Sequence, residues 1–482
     1  MKGTSAWLSV AERDLIVDSA LRILATVGMR MAGARALDAL EREGARVDRD
    51  TGVVRFSEDL VRRALGRLPD TLLMAGATPE LDVILDRRSG PRFNPTGCIA
   101  KTLDFRTGER RASSLQDLRE GTIVMDATPE LDIVWTFVTA NDVPVERREL
   151  LEYYTYLTET RKPIVFVDCP TAVTAVKEIA AVLGGGPAGA GLEGFRVRPR
   201  LSVLCAARAP LEVHGDLLDV TCELAALGAP VWAYTMPIAG ATSPVTIAGT
   251  LALMWAELLG LVTVIEVNAP GAPVLACCGP GTLDMRTTNM AGSAPETTLI
   301  SVACVEIGHH LGLPVHNAGV STDAKAPGMQ AGYEKGLKAL PTALAGADVL
   351  SGGFGGIENS NTFYLPMVPI DAEIATLVRR LVAEVPIDPE TVMLDAIERV
   401  GIGGDFLKEK ETRRRIRAGE HFMPQIGDRL AFDQWAASGR SEVGAAVEKI
   451  EAALAAREER GAYLSKDQRA ALADICGVEP RS

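Results

Sequence analysis

Pro230-Val231-Trp232-Ala233-Tyr234-Thr235-Met236-Pro237 is a short apolar run opened and closed by proline, and it decides the reading of the chain because seven other runs share its design. They occupy residues 92–98, 133–141, 163–170, 200–207, 273–279, 314–319 and 347–353. Together the runs recur every 30 to 45 residues, roughly, which is the rhythm of a (β/α)8 barrel. Several open with proline directly after a breaker, at Lys162-Pro163, Ala229-Pro230, Ala272-Pro273 and Leu313-Pro314. Proline at the first position of a strand removes no ladder hydrogen bond and ends the preceding helix. The interiors of the runs are continuously apolar, as parallel strands covered by helices must be. Segments 114–125, 147–159, 171–183, 211–227, 244–261, 295–311 and 330–345 carry helical spacing between them. An open doubly wound sheet is the competing arrangement; no Gly-x-Gly-x-x-Gly follows a first strand here to support it.

Working outward, the expected fold is α/β, a TIM barrel over residues 91–369 with two extensions. Residues 1–90 read as an N-terminal α/β extension of helices and short strands, a lid or a packing appendage. Residues 370–482 read as a helical, charged region that wraps the barrel or builds an oligomer interface. The glycine-rich stretch 184–191 reads as a flexible connector on the face away from the site. With 482 residues, 47% of them hydrophobic and 23% charged, the chain can bury one large core. A net charge of −13 argues against nucleic acid or an anionic membrane as partner. No apolar run reads as long enough to span a bilayer, and the first ten residues lack the pattern of a signal peptide, so a cytoplasmic location is expected. Cysteines 98, 169, 205, 222, 277, 278, 304 and 476 are scattered beside apolar residues, which suits reduced buried thiols.

In such barrels chemistry sits beyond the C-terminal ends of the strands. Four chemistries compete for that ring of loops. Ser351-Gly352-Gly353-Phe354-Gly355-Gly356 after the eighth strand could cradle a phosphate on backbone N–H groups. Cys277 or Cys278 with His316 could serve a zinc thiolate, although neighbouring strand residues face opposite ways and the spacing matches no ligand motif, so no metal is expected. His309 and His310 diverge on a helix. Lys101 and Lys325 are loop lysines with no evident desolvating pocket for Schiff-base chemistry. Lastly, Phe93, Trp135, Phe137, Phe166, Trp232, Tyr234, Phe354 and Tyr364 lie in or after the strands, where aromatic faces could hold a quaternary ammonium within the field of Glu358 and Asp323.

One ordered set of motifs chooses among these. Gly319-Val320-Ser321-Thr322-Asp323-Ala324-Lys325-Ala326-Pro327-Gly328-Met329-Gln330-Ala331-Gly332-Tyr333-Glu334-Lys335, then Ala343-Leu344-Ala345-Gly346-Ala347-Asp348 and Gly355-Gly356-Ile357-Glu358, resembles the trimethylamine methyltransferase superfamily. Leu103-Asp104, Thr107-Gly108-Glu109-Arg110-Arg111-Ala112-Ser113, Asp371-Ala372-Glu373-Ile374 and Val400-Gly401-Ile402-Gly403-Gly404-Asp405-Phe406-Leu407 extend the likeness over nearly the whole chain. The resemblance implies a TIM-barrel enzyme that passes a methyl group from a methylated amine to the cobalt of a separate small corrinoid protein. Founding members carry pyrrolysine after the seventh strand, near Thr322 to Lys325 here, where this chain has only standard residues. It therefore resembles the branch without pyrrolysine, whose members include demethylases of glycine betaine and related quaternary amines. Gly328 departs from the acidic residue expected at that position of the motif.

The absence of an unusual residue suits a quaternary substrate, because a tertiary amine leaves neutral and needs no proton; orientation and exclusion of water are then the protein's main tasks. Strand position and motif together nominate Glu358, Asp323 and Gln330 as catalytic residues. They nominate Tyr333, Glu334, His316, Asn317, Phe354, Trp135, Trp232 and Lys325 as substrate-binding, with Arg286 and Arg208 as further partners for a substrate carboxylate. Gly352, Gly353, Gly355 and Gly356 are expected to let a flat corrin ring approach. The chain itself is expected to bind no cofactor, cobalamin being supplied by the partner, and to form a homo-oligomer. The alternatives are a barrel that only binds a small cationic metabolite, a hydrolase or lyase independent of corrinoid, and a zinc-thiolate methyltransferase.

Overall fold

The computed structural model describes residues 6–87, 90–166, 173–185, 191–213, 217–459 and 463–479. Eight parallel strands form the barrel: β1 (Arg92–Pro95), β2 (Val134–Trp135), β3 (Ile164–Phe166), β4 (Leu201–Ala207), β5 (Val231–Thr235), β6 (Val274–Cys278), β7 (Val315–Asn317) and β8 (Val349–Gly353). Ladder pairing runs from β2 through β3 to β8 and back to β1, so each strand follows its predecessor in space. The last seam, between β1 and β2, has no ladder between the two strands and is closed by bonds at their ends. Asp132 N–H donates to Phe93 O (2.9 Å), Ile99 N–H to Phe137 O (2.9 Å), and the Asp132 carboxylate accepts from Phe93 N–H (2.7 Å) while pairing with Arg92 and Arg379.

Each strand is followed by its helix: α1 (Leu115–Ala127), α2 (Val145–Glu159), α3 (Val173–Leu183), α4 (Leu217–Ala226), α5 (Ile247–Asn268), α6 (Pro295–His310), α7 (Met329–Leu344) and α8 (Met367–Val382). Helix α4 begins later than the sequence pattern predicts. Leu211 stands in the left-handed region (φ 59°) and Glu212 bridges to Arg30 and Arg208 instead of starting a turn. The boundary read at residue 369 falls inside α8, which packs on α7 and β8 as the barrel's own eighth helix. Of the connector 184–191, residues 186–190 lie outside the described residues, as do Cys169 and the loop positions 167–172 after β3.

The N-terminal extension does two jobs. Helices Val10–Thr26, Ala34–Arg42 and Glu58–Leu65 pack on α5. This corrects the expectation about apolar runs: α5 has 22 residues, and an 18-residue stretch of it has a mean hydropathy of 1.8, long and apolar enough to cross a bilayer. Its apolarity is used within the fold, since 78% of that stretch is buried between the barrel and the extension. The second job belongs to the hairpin Leu72–Met74/Val83–Leu85, tied by Ala75 N–H to Pro199 O (2.8 Å) and by Ala77 N–H to Arg161 O (2.7 Å), just ahead of β4 and β3. Leu72, Met74, Val83 and Leu85 join Val165, Leu204, Leu275 and Val349 in one interior cluster, so the hairpin plugs the floor. Among the described residues the extension serves as a floor and a buttress, and its strand Met29–Arg30 also bonds the loop after β4, with Arg30 N–H donating to Leu211 O (2.9 Å) and Val213 N–H to Arg30 O (2.8 Å). At the other end of the chain, Glu442–Glu459 packs on α1 and α8, and Lys466–Ile475 on α2 and α3.

Candidate active site in the barrel mouth

Alternation along parallel strands sends every second side chain inward. On β2, β5, β6 and β7 the inward residues are Trp135, Trp232 and Tyr234, Cys277, and His316, with Tyr234 level with Cys277 and Cys277 level with His316. Their rings form a box. Trp135 meets Trp232 edge to face with centroids 5.1 Å apart, and His316 lies 5.5, 5.1 and 5.9 Å from Trp135, Trp232 and Tyr234. Trp232 and His316 are fully buried, whereas Tyr234 reaches solvent below Met236. The hairpin closes the floor, so a ligand would enter from the C-terminal ends of the strands.

What distinguishes these residues is unmet hydrogen-bonding capacity. Among the described residues, Trp135 Nε1, Trp232 Nε1, both ring nitrogens of His316, Ser202 Oγ and Asn94 Oδ1 are buried without a partner. Buried polar groups normally have partners, so a cluster of bare ones inside a barrel marks a place where a ligand completes the bonding. Burial alone pushes His316 down to about 3, so its imidazole is neutral at physiological pH and does not repel a cation. Cys277 is turned inward and Cys278 outward; burial pushes the Cys277 thiol well up, which leaves it a poor thiolate. Among the described residues no three His, Cys, Asp or Glu side chains converge as a metal site. His309 and His310 diverge, to Asp348 and Asp14 respectively.

The motif carboxylates Asp323, Glu334 and Glu358 sit above the box, on the rim, and each is engaged. Asp323 accepts from Gly292 and Ser293 N–H (both 3.1 Å), fastening the β7 loop to the β6 loop. Glu334 accepts from Thr322 Oγ1 (2.6 Å), Asp323 N–H (2.8 Å) and Gln330 Nε2 (2.8 Å). Glu358 accepts from Arg110 (2.5 Å) and Thr362 Oγ1 (2.6 Å). Partial burial raises its pKa, but those two bonds outweigh it and hold the carboxyl below the usual range. Glu358, Asn359 and Ser360 are all left-handed (φ 53°, 50°, 65°), a strained turn held by Glu358 N–H to Ala324 O and Asn359 N–H to Thr322 O, both 2.6 Å. Lys325 is exposed and donates to Asp323 O (2.6 Å); Arg208 pairs with Glu212 and Arg286 with Asp284, so none of the three cations faces the box. Tyr333 is exposed on the outer side of α7.

Three sequence expectations are corrected by where the side chains lie. Asn317 points away from the box toward α6, donating to Ser301 O (3.4 Å). Phe354 packs behind the strands against Phe93 (6.0 Å) in the outer core. Gly352, Gly353, Gly355 and Gly356 are buried and form no open platform: a Cβ at these positions would meet Ser321, Val320, Phe363 or Thr96 at 2.2 to 3.2 Å. Their lack of side chains brings the β7 and β8 loops together.

Sequence reasoning missed the posts beneath the rim. Lys335, fully buried, bonds both oxygens of Asp371 (2.7 Å each), and Asp371 also accepts from Gly355 N–H (3.1 Å). Burial pushes Lys335 down and Asp371 up, against their mutual attraction. Lys338, also fully buried, donates to Gly292 O (2.6 Å) and Ser321 Oγ (2.8 Å), and burial pushes it down to about 7 despite Asp323 nearby. Two lysines three apart on one helix face were the available signal. Tyr234 was legible as the residue two beyond Trp232 on the same strand.

The family model described as Trimethylamine methyltransferase (MTTB) matches residues 3–477. Trimethylamine methyltransferase MttB1 of Methanosarcina mazei is 30% identical over 436 residues, covering 89% of this chain and 86% of its own. The glycine betaine methyltransferase of Desulfitobacterium hafniense is 26% identical over 423 residues, covering 87% and 86%. The crystal structure of the Methanosarcina barkeri monomethylamine methyltransferase covers 93% of this chain and 98% of its own at 12% identity, with a TM-score of 0.48. On a family match that runs almost from end to end, this chain belongs to the trimethylamine methyltransferase (MTTB) family.

Proposed function

We propose that this methyltransferase takes a methyl group from a quaternary ammonium carboxylate of the betaine class and delivers it to the reduced cobalt of a separate corrinoid protein docked over the mouth. The observation that carries the reading is the one-ended aromatic box with its bare donors. Indole and phenol faces attract a trimethylammonium group without needing a hydrogen bond from it. The Trp135 and Trp232 indole N–H groups and the His316 ring N–H are donors without acceptors, and a substrate carboxylate would supply the acceptors they lack. Trimethylamine, a single tertiary amine, would leave those donors bare.

The residues of the chain then act by position. The plugged floor and the fully buried Trp232 exclude water from one side, and the carboxylate is held deep so that an N-methyl group points out of the mouth. The acceptor supplies a nucleophile for the methyl carbon; the electron pair of the broken N–C bond stays on nitrogen, and a neutral tertiary amine leaves without a proton. Because the positive charge on nitrogen disappears in that step, an over-tight cage would favour substrate over transition state, and three aromatic rings with a neutral imidazole give moderate attraction. The rim residues Asp323, Gln330, Glu334 and Glu358 serve as positioning residues that fix the loops around the entrance.

The test is to incubate the purified chain with chemically reduced cobalamin and follow demethylation by proton NMR. Glycine betaine is expected to be demethylated faster than choline, tetramethylammonium or trimethylamine. Demethylation of none of them overturns methyl transfer, and equal rates for betaine and tetramethylammonium overturn the carboxylate assignment.

A further inference from the structure

Helix α7 is built inside out. Its three charged residues, Glu334, Lys335 and Lys338, all turn toward the barrel, where the two lysines are fully buried and Glu334 is bonded to the β7 loop. The water side carries Met329 (87% exposed), Leu337 (70%), Tyr333 and Leu344, with Gln330 as its polar member. Gly332 and Gly336 lie on the same helix, and a Cβ at either would meet nothing within 4 Å. Glycine is the poorest helix former after proline, and nothing in the chain uses the space these two leave. A helix that faces water ordinarily shows the reverse pattern.

A second surface has the same defect. From residue 383 to residue 440 the chain forms four short helices, Pro389–Val392, Leu394–Val400, Lys410–Arg417 and Phe432–Ser438, yet only Ala396 and Ile426 are buried. Thirteen large apolar side chains in this arm are exposed, among them Ile387, Ile402, Leu407, Met423, Phe432 and Trp435. Some of its charges pair locally, as in Arg399 with Glu409 and Arg414 with Glu390 and Glu411, and the exposed apolar groups are its unusual component. A segment with almost no core of its own does not hold helices together by burial.

We propose that the two surfaces cover each other between two copies of this chain, the 385–435 arm of one copy lying along the outer face of α7 of the other, and reciprocally. One twofold contact removes both defects at once, as isologous pairing allows. The thirteen arm side chains and the four of α7 expose, together, on the order of 1,500 Å² of apolar surface per chain, whereas a stable interface needs about 800 Å² per partner. A protein docked over the mouth does not serve instead, because the 16 residues of α7 extend about 24 Å from the rim toward the floor and only the Met329 end is at the rim. The open spaces at Gly332 and Gly336 then receive the arm's close approach.

Sedimentation of the full chain at micromolar concentration tests this without any substrate, so its outcome is separate from that of the methyl-transfer reading. The wild type is expected at twice the chain mass or a multiple of it. Leu337→Glu and Phe432→Glu each change an exposed side chain and are expected to give monomers with unchanged circular dichroism. Gly336→Leu, whose side chain has open space in a single copy, is expected to raise the dissociation constant. Amide exchange over residues 385–435 is expected to accelerate in Leu337→Glu, a change on a different element. A monomeric wild type, an assembly that survives Leu337→Glu, or arm exchange that Leu337→Glu leaves unaltered overturns the proposal.

Discussion

The interior of the barrel and its rim are built on opposite principles. On the rim, Asp323, Glu334 and Glu358 are each bonded to two or more neighbours, and together they tie the loops after β6, β7 and β8 into one frame. Inside, Trp135, Trp232 and His316 keep polar atoms bare although they are buried. The stretch that carries the family resemblance is mostly frame. The groups able to bind something new are strand residues from four separate runs that come together only when the barrel closes. A dense polar motif in a loop, then, is as apt to hold the loop as to do chemistry, and the distinction rests on whether its hydrogen bonds are already made.

The frame can be broken most severely at its post. Lys335→Met leaves Asp371 buried beside Gly355 N–H without its cation, which costs about 3 to 5 kcal/mol of stability. Lys335→Met with Asp371→Leu is expected to recover much of that loss in urea melts, since neither charge is then stranded. A loss below about 1 kcal/mol in the single variant would mean that the rim stands on something else.

The interior answers to acid. His316 is held near 3 in the folded chain against an ordinary 6.5, so the unfolded chain binds a proton that the folded one refuses. Wild-type stability therefore rises with pH between about 3 and 6.5, and it falls by on the order of 5 kcal/mol over that window as acid is added. His316→Phe removes this dependence and is expected to move the acid-unfolding midpoint to lower pH. Lys338 carries the same sign at higher pH. Its folded value of about 7, against 10.5, makes its contribution rise with pH above neutrality, so the wild type is expected to gain melting temperature over Lys338→Met between pH 7 and pH 9.

All eight strands were legible because each pairs an apolar interior with a proline, glycine, asparagine or aspartate boundary, and those are local signals. The site was legible in part. Trp135, Trp232 and His316, nominated as substrate-binding, stand together inside the barrel, but the sequence could not say that Asn317 faces α6, since a strand of three residues (Val315–Asn317) offers no alternation long enough to fix its phase. The glycines from Gly352 to Gly356 read as an open approach and serve instead as a packing seam, because whether a missing side chain is filled by a neighbour depends on a loop 30 residues away in sequence. Lys335 and Lys338 escaped notice because lysines on a helix are ordinarily solvated, and only the fold shows that this helix is turned charged side inward.

The comparison is sharpened by one substitution in each region, read with the same acceptor and substrate. Trp135→Leu keeps an apolar side chain in the box but removes an aromatic face and an indole donor. It is expected to lower kcat/KM by about ten- to thirtyfold, the order of a desolvated cation–π contact, chiefly through KM. Gln330→Ala on the rim removes one bond to an already satisfied Glu334 and is expected to leave kcat/KM unchanged.

Glu358→Gln gives a small effect and the hardest test. The carboxylate pairs with Arg110 at a partly solvated position, where such pairs are worth about 0.5 to 1 kcal/mol. Its folded pKa lies below its ordinary 4.5, so this contribution is present above that value and is lost as pH falls through the folded pKa; the two proteins are expected to differ in melting temperature at pH 7 and to converge in acid. Glutamine is isosteric and can still accept from Thr362 and Arg110, so the left-handed turn at 358–360 keeps its anchors and the entrance its shape. If the rim is a frame, kcat/KM changes by less than about twofold, under 0.5 kcal/mol of barrier. A fall in kcat as steep as the one Trp135→Leu produces in kcat/KM, with the melting curve intact, would instead place Glu358 at the reacting atoms and dissolve the division between rim and interior.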